Sequence, residues 1–485
     1  MNRFYLLLLI FFLSFNQGAQ AQEIISAKIT DIIASAQSDS PDFLLAKTRE
    51  NNAYWIYVAS KSVFKPQLGF SATLPSINRS ISPITLPDGS RAFVTSSFMS
   101  NTVGLNLNQV ISATGGSVFV NTNLQRLDDF GALAGPTTYL SSPITIGFDQ
   151  PILRLNPYKW DKKEAEINYT ASKKRYVEDR ERIAFESVNN FFDLYTSKLT
   201  LEEAIRNSDY LDSLAVNAEG RYSVGKISET ELLQIQLGAK NAKSSVARLS
   251  LSVQNKIEAL RDFLGIQKQV DFDLKTPLPI TLVDIDKDKA LEYALKNRSV
   301  TEDFRLRLLN AERQMESAKK DNGPSLRLSG SFGLTKSAES FKGAYQQLLD
   351  QEQVSLSIDI PIADFGRRKA QREIAKSNLE LIHLQLKQDQ ISFEREILVN
   401  VEQFKLKRDQ LTLAEEALEI AKKRVDISKK RFKIGKIDVT NLNIAIQEEL
   451  GAQQSYYSTL WDLWRAHYTI RNLTLYDFEN DVPLE

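Results

Sequence analysis

Cysteine is absent from the 485-residue chain. That removes disulfides, thiolate metal sites and a cysteine nucleophile together. Histidine is nearly absent: His383 and His467 are the only two, both inside helical patterns. No nucleophile–His pairing, metal-ligand cluster or phosphate-binding loop stands out, so the chain reads as a non-enzyme with no cofactor and no metal. Lys plus Arg and Asp plus Glu both total 61, leaving no net charge to draw the chain to nucleic acid or to an anionic membrane surface. Beyond the N-terminus no apolar run approaches the about 18 residues of a membrane-spanning helix. If the chain sits in a membrane after export, it must do so through β-strands.

The N-terminus reads as an export signal. Met1-Asn2-Arg3 gives a positive start, Phe4 to Phe15 is apolar but short for a bilayer span, and Ala19-Gln20-Ala21 gives the small-x-small cleavage pattern. Residues 1–21 are therefore read as a signal peptide, with the mature chain starting at Gln22. No cysteine follows to carry a lipid anchor.

Two stretches organise the rest: Arg221-Tyr222-Ser223-Val224-Gly225-Lys226-Ile227 and Arg431-Phe432-Lys433-Ile434-Gly435-Lys436-Ile437. They share a pattern at an offset of 210, and each separates two long periodic segments. Glycine between helix-forming runs is the expected punctuation where one helix stops and the chain turns back. The flanks repeat at the same offset: Asp149-Gln150-Pro151-Ile152 meets Asp359-Ile360-Pro361-Ile362, and Asn190 meets Asn400. Upstream, Pro66-Gln67-Leu68 meets Pro324-Ser325-Leu326 at an offset of 258, so the first copy carries 48 extra residues before its Asp-x-Pro-Ile. The chain is thus expected to be an internal duplication. Its parts are residues 22–266 (helix, strands about 67–149, long helical hairpin), a connecting segment at 267–288, residues 289–478 (helix, strands about 325–360, long helical hairpin) and a tail at 479–485.

Within each copy the periodicity changes. Residues 23–37, with Ile25, Ile29, Ile32 and Ile33, are expected to form a short amphipathic helix, and Ser40-Pro41-Asp42 opens another. From Gln67 the alternation is two: Leu68, Phe70, Ala72 and Leu74 on one face, small or polar residues on the other. The same alternation recurs at 103–110, 117–125 and 143–149, and again around Leu326, Leu328, Phe332 and Val354 to Asp359. Strands apolar on one side and rich in Ser, Thr and Asn on the other suit a membrane barrel wall, with a soluble sandwich as the competing reading. The runs from Tyr158 to Glu219 and from Arg367 to Phe432 hold neither Pro nor Gly, and at 1.5 Å per residue each spans roughly 90–100 Å. The second carries two heptad stripes: Ile397, Phe404, Leu411, Leu418, Val425, Phe432 and Val399, Leu406, Leu413, Ile420, Ile427, Ile434. They lie two residues, about 200°, apart, so this helix is expected to have a neighbour on each side.

These features resemble the TolC-type outer-membrane efflux channels over essentially the whole mature sequence. The resemblance rests on the signal peptide, the duplicated order of elements, the Pro-x-Leu strand openings, the Asp-x-Pro-Ile strand exits and the aromatic-x-x-Gly tips. It implies an α+β chain that assembles as a homotrimer, with an outer-membrane β-barrel continued by a long α-helical barrel. The implied function is the passive exit duct of a tripartite efflux or secretion system, in the outer membrane of a Gram-negative bacterium with a periplasmic helical extension. Outer-membrane lipid surrounds the barrel, and a periplasmic membrane-fusion adaptor links the duct to an inner-membrane pump. The alternative is a periplasmic coiled-coil adaptor or structural spacer. Tyr222, Val224, Gly225, Lys226, Ile227, Phe432, Ile434, Gly435, Lys436 and Ile437 are the implied adaptor-contacting tips.

Two departures follow. Where well-known family members carry carboxylates after the second tip, this chain has Asn441 and Ile444. Asp438, Asn441 and Asn443 are the substitute candidates for the periplasmic gate. The 48 extra residues allow four strands in the first copy and eighteen in a trimeric barrel, or a hairpin folded inside a loop and twelve. The diameter set by the helical tube favours twelve.

Overall fold

The structure, a computed structural model, describes residues 23–85, 87–130, 135–280, 284–434, 436–437 and 439–484. The expected signal peptide, Gly435 and Asp438 lie outside the described residues. The chain divides into two compact units: a strand unit of Asn51–Ser172 and Ser299–Gln390, and a helical unit of the segments up to Glu50, Lys173–Arg298 and Ile391–Glu485.

The strand unit is built on a six-stranded antiparallel sheet of β2 (Gln67–Thr85), β3 (Arg91–Ile111), β4 (Gly116–Asp129), β5 (Thr138–Ile152), β7 (Ser325–Ala338) and β8 (Leu349–Asp359), paired in that order. Register keeps its two faces chemically distinct. Leu68 pairs with Leu107, Leu107 with Val120, Val120 with Ile146 and Ile146 with Phe332, and this largely apolar row ends on Glu352 of β8. One residue along, Gln67, Asn108, Phe119, Gly147, Ser331 and Gln353 form the matching row on the opposite face. A slip of one residue in any strand would exchange the faces, so the alternation fixes the register.

The extra residues of the first copy are two of these strands, against the expectation of a hairpin folded inside a loop. β3 and β4 are paired along their full length, and their apolar residues continue those of β2 and β5. Their connecting turn is fastened to neighbouring backbone. The Asn156 side chain donates to the Ser112 carbonyl at 2.8 Å, Gln150 Nε2 donates to the Thr114 carbonyl at 3.1 Å, and Gln109 Nε2 donates to the Phe64 carbonyl at 2.7 Å. Only strands that belong to the sheet meet both conditions. β2 and β3 also run well past the expected 74 and 103, through a stretch whose Pro75 and Pro83 read as turn residues but which an edge strand accommodates.

The unit's helical segments come from α2 (Pro41–Ser62), α3 (Pro157–Ser223), α6 (Val300–Lys320) and α7 (Arg367–Lys433). Tyr57 stacks on Tyr169 with ring centroids 4.6 Å apart, which joins α2 to α3. Arg313 bridges Asp161 at 2.9 Å and Glu164 at 3.2 Å, joining α6 to α3, and Arg307 meets Asp389 of α7 at 2.6 Å.

In the helical unit α3 continues to Ser223, α4 spans Glu229–Leu264, α7 continues to Lys433 and α8 spans Val439–Thr474. The long helices are 67 residues each and the returns 36 each. Phe191, Phe192 and Leu194 of α3 and Leu460 and Leu463 of α8 are fully buried. Phe192 stacks on Trp461, whose Nε1 donates to Asn189 Oδ1 at 3.0 Å. Removing a ring of this kind costs about 3–5 kcal/mol. Lys256 of α4 meets Asp193 of α3 at 2.8 Å, and Lys407 of α7 meets Asp462 of α8 at 2.8 Å.

Two expectations are corrected here. Residues 23–27 are not helical: β1 (Glu23–Ala27) pairs in parallel with β6 (Val270–Leu274), a strand within the segment expected only to connect the two copies. α1 (Ile29–Asp39) follows β1 and buries Ile29, Ile32, Ile33 and Ala36. β6 buries Val270 and Phe272, and Lys198 of α3 reaches back to Asp271 at 2.8 Å. The C-terminal end is likewise ordered. β9 (Tyr476–Asp477) pairs with β10 (Val482–Pro483), and Tyr476 stacks on Tyr293 of α5 (Lys287–Asn297) at 3.8 Å.

Arg471 is the centre of a buried ionic network. Its guanidinium meets Glu181 at 2.9 Å and Asp477 at 2.6 Å, all three groups being mostly withdrawn from solvent. Burial opposes ionisation of Asp477, but hydrogen bonds from Asn480 and Arg471 outweigh it and hold the carboxyl down at about 2. Beside this network, His467 packs against Phe404, and burial, aided by Arg471, pushes its imidazole down to about 4. A histidine that stays neutral to about pH 4 when folded, yet protonates near 6.5 when exposed, favours the folded state above pH 6.5. That advantage shrinks as pH falls from 6.5 towards 4, by about 2 kcal/mol at pH 5 at ~1.36 kcal/mol per unit. The contribution of Asp477 is present above its ordinary value and is lost between about pH 4 and 2. His467→Phe should therefore flatten the loss of stability between pH 6.5 and 4.5, read as the urea midpoint of the purified protein. An unchanged slope would place the acid lability in other groups.

Candidate functional site: the helix tips and the exposed seams

The first tip is set by paired stop and start signals. Gly225 adopts φ +72°, its N–H bonds the Tyr222 carbonyl at 2.9 Å, and the Lys226 N–H bonds the Arg221 carbonyl at 2.9 Å. This is the double closure of a Schellman end, in which a left-handed residue saves the last carbonyls from being orphaned. The chain restarts at Ser228, whose hydroxyl accepts from the Glu231 N–H at 3.2 Å while the Glu231 carboxylate accepts from the Ser228 N–H at 2.9 Å. The two bonds from Ser228 hold the Glu231 carboxyl below its usual range. This is a Ser-x-x-Glu capping box. At the same repeat offset the second tip has Asp438 and Asn441. It keeps the Lys436 N–H to Arg431 carbonyl bond at 2.9 Å.

The expected tip residues present an apolar and basic surface. Tyr222, Val224, Lys226, Ile434 and Lys436 are exposed, while Ile227, Phe432 and Ile437 are half-buried. Of the gate candidates, Asn441 is exposed and Asn443 half-buried. Asn443 borders a hollow of about 410 Å³ with Gln447 of α8 and Gln234 of α4, which brings the two return helices together near the tips. A second cleft, of about 310 Å³, lies between α3, α4 and α8 and is lined by Thr196, Asn207, Leu249, Gln454, Tyr457 and Trp461. Sequence patterns gave no sign of it, because its walls come from three distant segments. Among the described residues no group of acidic, His or Cys side chains could hold a metal ion.

The two heptad stripes of α7 have opposite fates. Ile397, Phe404, Leu411, Leu418 and Val425 are 1–8% exposed, closed off by α8. Val399, Leu406, Leu413, Ile420, Ile427 and Ile434 are 46–67% exposed. On α4, Leu233, Leu237 and Leu251 are exposed too. The sheet has the same property. Among the described residues neither the outer side of β2 nor that of β8 has a strand partner.

Residues 290–474 match the model of the family described as Outer membrane efflux protein. No curated protein matches the chain by sequence. Solved structures match it over most of their length. The CmeC outer membrane channel of Campylobacter jejuni is 16% identical, with 93% of this chain and 88% of that one covered at a TM-score of 0.65. The outer membrane protein VceC of Vibrio cholerae is 16% identical, with 92% and 95% covered at 0.62. The open state of the Neisseria gonorrhoeae MtrE outer membrane channel is 15% identical, with 90% and 88% covered at 0.55. The chain therefore has the fold of these channels, and its resemblance to the outer-membrane channel family is borne out.

The tip geometry has a local readout. Ser228→Ala removes one half of the capping box and should cost about 1 kcal/mol at the start of α4. Amide exchange at residues 229–232 should speed up about fivefold while that of the Phe191–Leu194 core stays unchanged. Equal protection in both proteins would mean that the box does not hold the turn.

Proposed function

We propose that three copies of this chain form the outer-membrane exit duct of a tripartite efflux or secretion system. One observation carries the reading: apolar seam and sheet edges are left open together. A six-stranded sheet is below the eight strands of the smallest membrane barrels and cannot satisfy its own edge groups in lipid. A head-to-tail ring closes it, with β8 of each copy against β2 of the next. The same operation sets the exposed stripe of α7 against apolar positions of a neighbouring copy, such as Leu237 and Leu251 of α4. The apolar sheet face then meets lipid and the polar face meets water. The equal helix lengths in the two halves support an ancestral duplication. The sheet's largely apolar face, with Leu68, Leu107, Val120, Ile146 and Phe332 in register, is what the rival reading, a periplasmic adaptor or spacer, leaves without a purpose.

In this reading solute moves passively, driven by an inner-membrane pump. The tips at Tyr222–Ile227 and Phe432–Ile437 offer a periplasmic adaptor an apolar contact rimmed by Lys226 and Lys436. Asp438, Asn441 and Asn443 line the periplasmic gate, which is mostly uncharged. Nothing in the residues chooses among drugs, metals or peptides as cargo.

Two measurements test this. The triple variant Leu406→Asp, Leu413→Asp, Ile420→Asp should abolish the trimer in detergent, since each unpaired carboxylate buried in the seam costs about several kcal/mol. Its helicity should stay near the parent's, because the inner seam is untouched. A trimer that survives would remove the seam from the interface. In planar bilayers, trivalent cations should block the reconstituted channel weakly. Tight block abolished by Asp438→Asn would show that Asp438 forms a charged ring.

A further inference from the structure

The polar face of the sheet has an uncharged middle. Its two central rows are Gln67, Asn108, Phe119, Gly147, Ser331, Gln353 and Gly69, Asn106, Asn121, Thr145, Gly333, Gln351. A charged pair stands nearer the strand–helix junctions, where Arg327 lies 3.8 Å from Asp149. β3 and β4 contribute Asn106, Asn108, Phe119 and Asn121 to these rows, so they supply wall rather than filling. Two close fits support that. Glycine at 147 leaves room for the Phe119 ring on the polar face, and glycine at 330 leaves room for Phe148 on the apolar face. Aromatic rings laid over strand glycines in this way pin register between neighbours.

We infer that β3 and β4 are wall strands of the closed barrel, giving an eighteen-stranded outlet with a wide, charge-indifferent bore for bulky hydrated solutes. The inference rests on the trimeric-duct reading. Barrel diameter grows about linearly with strand number, so six strands from each copy give a bore about half again as wide as four would. With eighteen strands the sheet is wide enough to leave a water-filled channel. An amide and hydroxyl lining offers hydrogen bonds without attracting either sign of charge. The outlet therefore does not select cargo by charge or by tight fit, and selection falls to the helical part and to the pump.

The chain's lack of cysteine makes the test direct. Single variants Asn121→Cys and Val120→Cys, one on each face of β4, are reconstituted in liposomes. A membrane-impermeant maleimide should label Asn121→Cys at least tenfold faster, and a lipid-bound quencher should quench a fluorophore at Val120→Cys only. Equal aqueous labelling of both sites would place the hairpin off the wall and overturn the inference. In a second arm, Arg91–Thr137 is deleted so that β2 leads directly to β5. Polyethylene glycols added from the sheet side alone should enter the parent's bore up to a larger molecular mass than the variant's. An unchanged cut-off in a variant that inserts would also overturn it, and if the variant does not insert the labelling result decides. Failure of the parent itself to form trimers or to conduct would refute the duct reading, not the strand count.

Discussion

Unpaired backbone along the two edges of one sheet is the constraint on which the rest of this structure depends. β2 and β8 each present a row of N–H and C=O groups with no partner among the described residues. In water such edges invite aggregation, and in lipid they are untenable. In the proposed duct the apolar face of the same sheet meets lipid, and further copies close the edges. The exposed stripe of α7 obeys the same logic in a different medium. There the driving term is apolar area removed from water, at about 25 cal/mol per Å².

Much of this was legible because it is local. Heptad spacing marked both stripes of α7, and the tip glycines and the Pro-x-Leu openings placed helix ends and strand starts to within a few residues. Whether a stripe is inner or outer was not legible, since Phe404 and Leu406 are equally apolar. Only the position of α8 separates them. The outer halves of β2 and β3 were missed because Pro75 and Pro83 read as turn punctuation, and their pairing is inherited from the inner halves through the ladder. β1 was misread because its partner begins at Val270. Five residues with three apolar side chains fit a helix as well as a strand until that partner is known.

The candidate site was legible in part. The tip glycines marked both turns, and the lysines and β-branched residues of both tips were readable by repetition, whereas the cap of Ser228 on Glu231 emerged only from the structure. The network of Arg471 with Glu181 and Asp477 was not, because Glu181 lies 290 residues from Arg471. Each of those residues alone reads as one more charge on a solvated helix. Their burial comes from packing α3 against α8, which no pattern within either helix records.

The turn between β3 and β4 carries a consequence for how such ducts diversify. Its carbonyls are held by Asn156 and Gln150, which flank the strand–helix junctions, so in the proposed duct a hairpin of this kind can be gained or lost without altering the helices on either side. In a threefold ring each inserted hairpin occurs three times and adds six strands. Bore size in this lineage would then change in large discrete steps through insertion of one short segment, rather than by gradual substitution along the wall.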